Sequence, residues 1–415
     1  MNTKAYGKDF SIILSAQIIS ILGSAVLRFA LDLYVLDTTG RADIFALVIA
    51  LSTIPGIVFS PIGGGIADRF PRKNLLMLLD ICSSGIVTIL VVLLTLHLAS
   101  VPVISLLLSL LSLVSAIYQP AVQASIPALV QEEHLTSANG IVSAIGALSG
   151  LLGPVLGGVL YGFVKLDTLL AASSVAFLLA ALLETRLHIP FTLKPRDNGL
   201  LPAIIDDIGQ GFHYIRLKNP KIYKTILIAA ALNLLMSPFF IIGLPYILRI
   251  TLHSNETLYG IGMGVGELSN IFGAVSAGSL SKKLHFSTLY RQLLLIAVLF
   301  LPMAFTLSPL ALRLGYWPTF VLFMLSGACV IFWMTVISVF VISTVQKETP
   351  NDLLGKVMAI IMAVAQCAAP LGQMLYGVVF AQCANMVYLP VLAACAFTIG
   401  IAYMAKALLC NPLTQ

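Results

Sequence analysis

The sequence predicts an all-α membrane protein of twelve transmembrane helices, arranged as two copies of a six-helix set. Composition is the first reason. Of 415 residues, 59% are hydrophobic and only 10% charged, with a mean hydropathy of +1.02, whereas a soluble protein carries about 25% charged residues. The second is the number of apolar stretches near the length of about 20 residues that a bilayer requires. The third is internal repetition. Asp68-Arg69 corresponds to Lys282-Lys283, Gln131-Glu132 to Gln346-Lys347 and Pro154 to Pro370, at offsets of 214, 215 and 216.

In chain order the expected spans are 10–36, 44–66, 74–97, 101–128, 138–163, 167–187, 223–248, 258–281, 289–309, 317–345, 356–381 and 386–408. The first follows Lys4 and Lys8 and runs past any plausible cleavage site, so it reads as a retained span rather than a leader. An even number of spans puts both termini on one side. Loops on that side hold Lys4, Lys8, Arg69, Arg72, Lys73 and the basic residues between 186 and 224, while the other side holds only Arg41, Lys165, Arg249 and Arg313. Cytoplasmic loops collect Lys and Arg, so both termini are expected in the cytoplasm.

The longest polar stretch divides the chain into a first bundle at 1–187, a linker at 188–222 and a second bundle at 223–415. Pro190, Pro195 and Pro202 break the start of the linker; Ile204, Ile208, Phe212 and Ile215 then recur at helical spacing. That pattern reads as an amphipathic helix on the membrane surface, or as a plain connection. The six cysteines follow no metal or redox spacing and read as small buried thiols. No phosphate-binding loop and no His/Cys cluster is present in the sequence, which argues against an enzyme, a nucleotide-driven pump or a cofactor. The positive net charge of +6 is read as topology rather than as a nucleic-acid footprint.

Between the second and third stretches lies Gly64-Gly65-Ile66-Ala67-Asp68-Arg69-Phe70-Pro71-Arg72-Lys73. An acid and three bases so close together belong outside the hydrocarbon. The segment resembles the signature loop of the major facilitator superfamily of secondary transporters, with Pro71 in place of the usual glycine. That resemblance implies two pseudo-symmetric six-helix bundles and alternating access. It also implies a cytoplasmic gate built from Gly64, Asp68, Arg69, Arg72 and Lys73, in which the acid latches one state; a topogenic basic cluster is the plainer alternative. Asp80, two turns into span three, is expected to pair with these bases and support the gate.

Gly153-Pro154-Val155-Leu156-Gly157-Gly158 in span five resembles the antiporter element of the same superfamily. From the residues alone, Gly153, Pro154, Gly157 and Gly158 fit a hinge or a close helix crossing; antiport is implied only by the resemblance. Tyr118-Gln119-Pro120-Ala121, Ile126-Pro127-Ala128-Leu129-Val130 and Ala138-Asn139-Gly140 resemble the macrolide-efflux and enterobactin-exporter subgroup, as does Gln346-Lys347-Glu348-Thr349-Pro350 in the second half. The fourth-span arginine of many drug/proton antiporters is missing.

Ionisable residues inside spans are functional candidates because desolvation is costly. Arg28 and Asp32 share a face of span one and read either as a structural ion pair or as a protonatable acid tuned by Arg28. Glu267, mid-depth in span eight, reads as a proton or substrate site or as a neutral structural carboxyl. Tyr34, Tyr118, Asn233, Asn270, Trp333 and Gln366, with Arg28, are candidates to line a substrate cavity, as are Gln17, Phe239 and Phe240. The resulting expectation is a monomeric transporter of the bacterial plasma membrane. It would export a hydrophobic or amphipathic small molecule, with protons entering through Asp32 and Glu267. Uptake or facilitated diffusion is an alternative, and a receptor or lipid scramblase on the same scaffold a further one.

Overall fold

The computed structural model describes residues 7–189, 212–280 and 284–409. Twelve long helices follow one another: α1 (Lys8–Thr39), α2 (Ala42–Arg69), α3 (Arg72–Thr95), α4 (Val101–Leu129), α5 (Leu135–Phe163), α6 (Leu166–Glu184), α7 (Pro220–Leu235), α8 (Glu256–Leu280), α9 (Leu289–Thr306), α10 (Tyr316–Glu348), α11 (Asn351–Gln382) and α12 (Tyr388–Leu409). Among the described residues, eleven stretches are long and apolar enough to cross a membrane. The exception is α8, where Gly260, Gly262, Gly264 and Gly266 with Glu267 and Asn270 lower the hydropathy. It nonetheless forms a continuous helix where the eighth span is expected.

Local chemistry sets the boundaries. Gly40 takes φ 59°, a left-handed conformation that turns the chain between α1 and α2. Only Phe70 and Pro71 separate α2 from α3, so the charged signature segment is helical up to Arg69. Asn219 caps α7, its side chain accepting a hydrogen bond from the Ile222 amide at 3.2 Å, with Pro220 at the first helical position. The apolar stretch of α7 continues to Thr251 through wide π-helical turns at Phe239–Gly243 and Ile247–Thr251. Pro238 and Pro245 remove backbone donors there, and in lipid the backbone re-pairs within the chain.

Two compact units emerge. The first comprises Met1–Thr38, Val48–Pro202 and Asn255–Ile261; the second comprises Thr39–Leu47, Ala203–Ser254 and Gly262–Gln415. In the first unit α3 packs along α6 and α4. Ser174 of α6 lies 2.8 Å from the hydroxyls of both Ser84 and Thr88 of α3, the small polar contact that lets membrane helices approach. Phe10, Leu76, Tyr118, Val122 and Ile126 lie in its core.

The second unit repeats this pairing: α9 packs along α12 and α10. Cys395 of α12 donates to the Ala297 carbonyl of α9 at 3.2 Å. Its centre is aromatic, with Phe239 fully buried and ringed by Phe240, Phe300, Tyr376 and Phe380 at centroid distances of 5.2–6.2 Å. Phe239 is thus a packing residue, while Phe240 is half-buried.

One expectation changes. Cys82 and Cys367 are exposed, Cys329 and Cys383 half-buried, and only Cys395 is buried among the described cysteines, all of which are free. A thiol behaves as a small apolar group, so a membrane helix can carry it without a protein core around it. The linker helix expected around Ile204 and Ile208 lies outside the described residues, as do Lys282 and Lys283. Ile215 is described, and packs with Ile222, Val345 and Val357.

Candidate functional site

A buried polar arrangement lies inside the first unit, where α1, α3, α4 and α6 each contribute a side chain. Asp80 of α3 is 1% exposed and Glu184, the last residue of α6, is 0% exposed. Ser20 of α1 donates to Asp80 Oδ1 at 2.8 Å. Tyr118 of α4 donates to Glu184 Oε1 at 3.2 Å, and its hydroxyl also faces Ser20. Asp80 Oδ2, Glu184 Oε2 and the buried Gln17 Oε1 have no hydrogen-bond partner among the described residues. A cavity of about 230 Å³ opens beside this chain, with Ser20, Arg28, Asp80, Tyr118, Gln119 and Ser149 in its wall.

The structure therefore reassigns Asp80. No described base pairs with it; its partner is Ser20 on α1. The reason is helical phase. Asp80 shares the inward face of α3 with Leu76, Leu79, Ser83 and Ser84, whereas Arg69 is exposed and Lys73 only half-buried near the end of the helices. The side chains of Gly64 and Asp68 lie outside the described residues; Arg72 opens α3.

Glu184 was not among the sequence candidates. It falls near the end of the sixth apolar stretch, where an acid reads as interfacial. The available signal was its position inside 167–187 with no basic residue on the preceding turns of that helix.

The span-five element is a set of close crossings. A Cβ on Gly153 would stand 2.7 Å from Ala25 Cβ, and one on Gly157 would stand 2.7 Å from the Phe29 ring, both on α1. One on Gly158 would meet the Glu256 carbonyl oxygen at 2.6 Å and Gly260 Cα at 2.8 Å, in the first turns of α8. Pro154 sits within an unbroken α5. The second unit carries the counterpart: Gly372 of α11 leaves no room for a Cβ against the Leu234 carbonyl of α7, nor Gly377 against Ala46 of α2.

The remaining candidates divide. Arg28 and Tyr118 share the cavity wall. Arg28 and Asp32, both half-buried, attract each other through space without a direct ion pair among the described residues. Tyr34 is half-buried. Glu267 is half-buried and makes no hydrogen bond or ion pair among the described residues. Asn270 accepts a hydrogen bond from Thr335 at 2.8 Å, linking α8 to α10. Asn233 donates to the Ala229 carbonyl of its own helix at 3.0 Å. Trp333 packs edge-on against Phe332 beside Leu284 and Phe340, and Gln366 is exposed. The described residues contain no group of three or more His, Cys, Asp or Glu side chains able to hold a metal.

Long apolar helices that cross at glycines around buried polar side chains are the architecture of a membrane transporter. The family model of the Major Facilitator Superfamily matches residues 13–373, and the chain belongs to that superfamily. It is 24% identical to macrolide efflux protein A of Streptococcus pyogenes over 372 residues, 88% of each chain. It is 25% identical to the staphyloferrin A transporter of Staphylococcus aureus (strain NCTC 8325 / PS 47) over 281 residues, covering 66% of this chain and 68% of that protein. Among solved structures, a bacterial homologue of the iron transporter ferroportin in an inward-facing state superposes with a TM-score of 0.69 at 17% identity, covering 95% of this chain and 98% of that one. The nucleoside transporter NupG gives 0.72 at 11% identity, covering 97% and 99%. These structural likenesses carry the fold.

Proposed function

We propose that this chain is a monomeric secondary transporter of a bacterial plasma membrane, with both termini cytoplasmic, that exports an amphipathic small molecule by alternating access driven by a proton gradient. The halves 1–187 and 223–415 are the moving parts, joined by the cytoplasmic segment 188–222. The observation that carries the reading is the near full-length likeness to a macrolide efflux protein. The staphyloferrin A transporter and the multidrug efflux pump Tap of Mycobacterium bovis (strain BCG / Pasteur 1173P2) point the same way.

On this reading the cavity wall takes the substrate, Arg28 holding a polar or anionic group and Tyr118 a ring face or hydroxyl. Asp32 and Glu267 are the proton carriers. A proton shifts the balance between two states only if it binds them unequally, and Asp32, whose attraction to Arg28 depends on their separation, is suited to that. Asp68, Arg69, Arg72 and Lys73 act at the cytoplasmic gate. A charge pair and a helix-end contact there supply about 1–3 kcal/mol, enough to bias a two-state equilibrium.

The experiment is substrate efflux from proteoliposomes carrying an imposed proton gradient, with macrolides, siderophores and lipophilic cations as the panel. Gradient-dependent movement of at least one compound supports the reading. Movement that ignores the gradient makes the chain a facilitator. Lipid transfer without solute movement makes it a scramblase.

A further inference from the structure

Asp80 and Glu184 remain unexplained by that mechanism. Both are buried in a bundle that crosses lipid, and no described Lys, Arg or His pairs with either. Two buried carboxylates cost several kcal/mol apiece to keep charged without a compensating positive charge. Their surroundings supply only hydroxyls: Ser20 to Asp80 and Tyr118 to Glu184. One oxygen of each carboxyl is left as a buried acceptor with nothing to accept from.

The independent observation is the cavity. Its wall includes Asp80, Ser20 and Tyr118, so Asp80 adjoins open volume, and Glu184 is joined to that wall through the Tyr118 hydroxyl. Gln17, one turn before Ser20 on α1, is buried too and carries a further unpartnered oxygen. The charged or titratable groups facing the pair are few. Arg28 comes from α1 and Tyr118 from α4, while α5 contributes Gly146, Ser149 and Gly150 to the wall and no charge. A metal ion is disfavoured by the donor set. A hard cation takes six to eight oxygens, and the described residues hold no group of three or more His, Cys, Asp or Glu side chains able to bind one.

We propose that Asp80 and Glu184, linked through Ser20 and Tyr118, together hold one exchangeable proton, forming a protonation site in the first unit separate from Asp32 and Glu267. The proton binds Asp80 Oδ2 or Glu184 Oε2, giving one neutral carboxyl beside one carboxylate, and leaves to water in the cavity. The inference rests on the transport reading only for what the proton is used for; occupancy of the site is a separate matter.

The test is infrared difference spectroscopy of the full-length protein in nanodiscs through a pH titration, in light and heavy water. The expected result is a deuterium-sensitive protonated-carboxyl band that Glu184→Gln or Asp80→Asn removes. Tyr118→Phe, which deletes one hydroxyl and keeps the ring, should shift that band and keeps the proposal testable if either acid variant fails to fold. A band unchanged in all folded variants would overturn the proposal, as would sodium or calcium displacing it one for one. A band present without gradient-driven transport defeats the transport reading alone, and gradient-driven transport without the band defeats this inference alone.

Discussion

Tyr118 reaches from the fourth helix to the end of the sixth and donates its hydroxyl to Glu184 at 3.2 Å. The contact ties two helices through a buried carboxyl whose second oxygen has no partner. Removing the donor leaves Glu184 with two unsatisfied oxygens, which costs about 1–3 kcal/mol. Tyr118→Phe should therefore lower the thermal stability of the purified protein. Adding Glu184→Gln should lose less than the sum of the two single changes, since the pair is coupled. Additive losses in that double-mutant cycle would show that the hydrogen bond does not operate in the folded protein.

Gly158 crosses Gly260 with backbone on both sides, so an added methyl group has nothing flexible to push aside. Gly158→Ala should cost about 1–3 kcal/mol by overpacking and should slow transport. Gly85→Ala provides the control, because nothing lies within 4 Å of its Cβ position. Equal thermal stability for the two variants would sink the crossing as a constraint.

Much of this architecture is legible in the sequence for physical reasons. Hydrocarbon forces a long apolar run wherever a helix crosses it, so the spans are visible, and duplication leaves Pro154 and Pro370 in corresponding places. Glycine at 153, 157 and 158 announces close packing. What it packs against is not announced, because Ala25, Phe29 and Gly260 are distant in sequence. Asp80 shows the same limit: its place two turns into the third span suggested pairing with the basic cluster after span two, yet its inward phase on α3 delivers it to Ser20. Glu184 escaped because an acid near the end of an apolar stretch reads as interfacial, and its full burial shows only in the fold. Asn233 and Asn270 looked like cavity groups, but a polar amide in a membrane helix can satisfy itself on its own backbone or a neighbouring threonine.

The hydroxyl ladder between α3 and α6 should be individually weak. Ser174 contacts both Ser84 and Thr88 at 2.8 Å, and interhelical hydrogen bonds in membranes average about 0.6 kcal/mol. Ser174→Ala should therefore lower stability by about 1 kcal/mol or less, whereas Ser174→Leu should lower it more by forcing the helices apart. A loss well above that for the alanine variant, measured by thermal unfolding in detergent, would assign the serine a role beyond packing.

Phe239 anchors the second unit. It is fully buried against Phe300, Tyr376 and Phe380, and edge-to-face pairs add to its packing. Phe239→Ala should cost about 3–5 kcal/mol through the cavity left behind, enough to lower the yield of folded protein. Phe239→Leu should recover much of that. If both variants unfold at the wild-type temperature, the aromatic cluster does not hold α7 to α11.

Asp32 and Glu267 differ in their surroundings, and their variants should differ accordingly. Asp32 lies one helical turn from Arg28, which attracts it through space, while Glu267 has no hydrogen-bonded or ion-paired partner among the described residues. Asp32→Asn leaves Arg28 without its neighbouring acid, so it should abolish gradient-driven export and also change apparent substrate affinity. Glu267→Gln should abolish gradient dependence with affinity kept within about threefold, because no neighbour loses a partner. Efflux and equilibrium binding, measured on the same preparations, separate the two effects. Full gradient-driven export by both variants would remove these acids from the coupling mechanism and leave Asp80 and Glu184 as the remaining carboxyls to test.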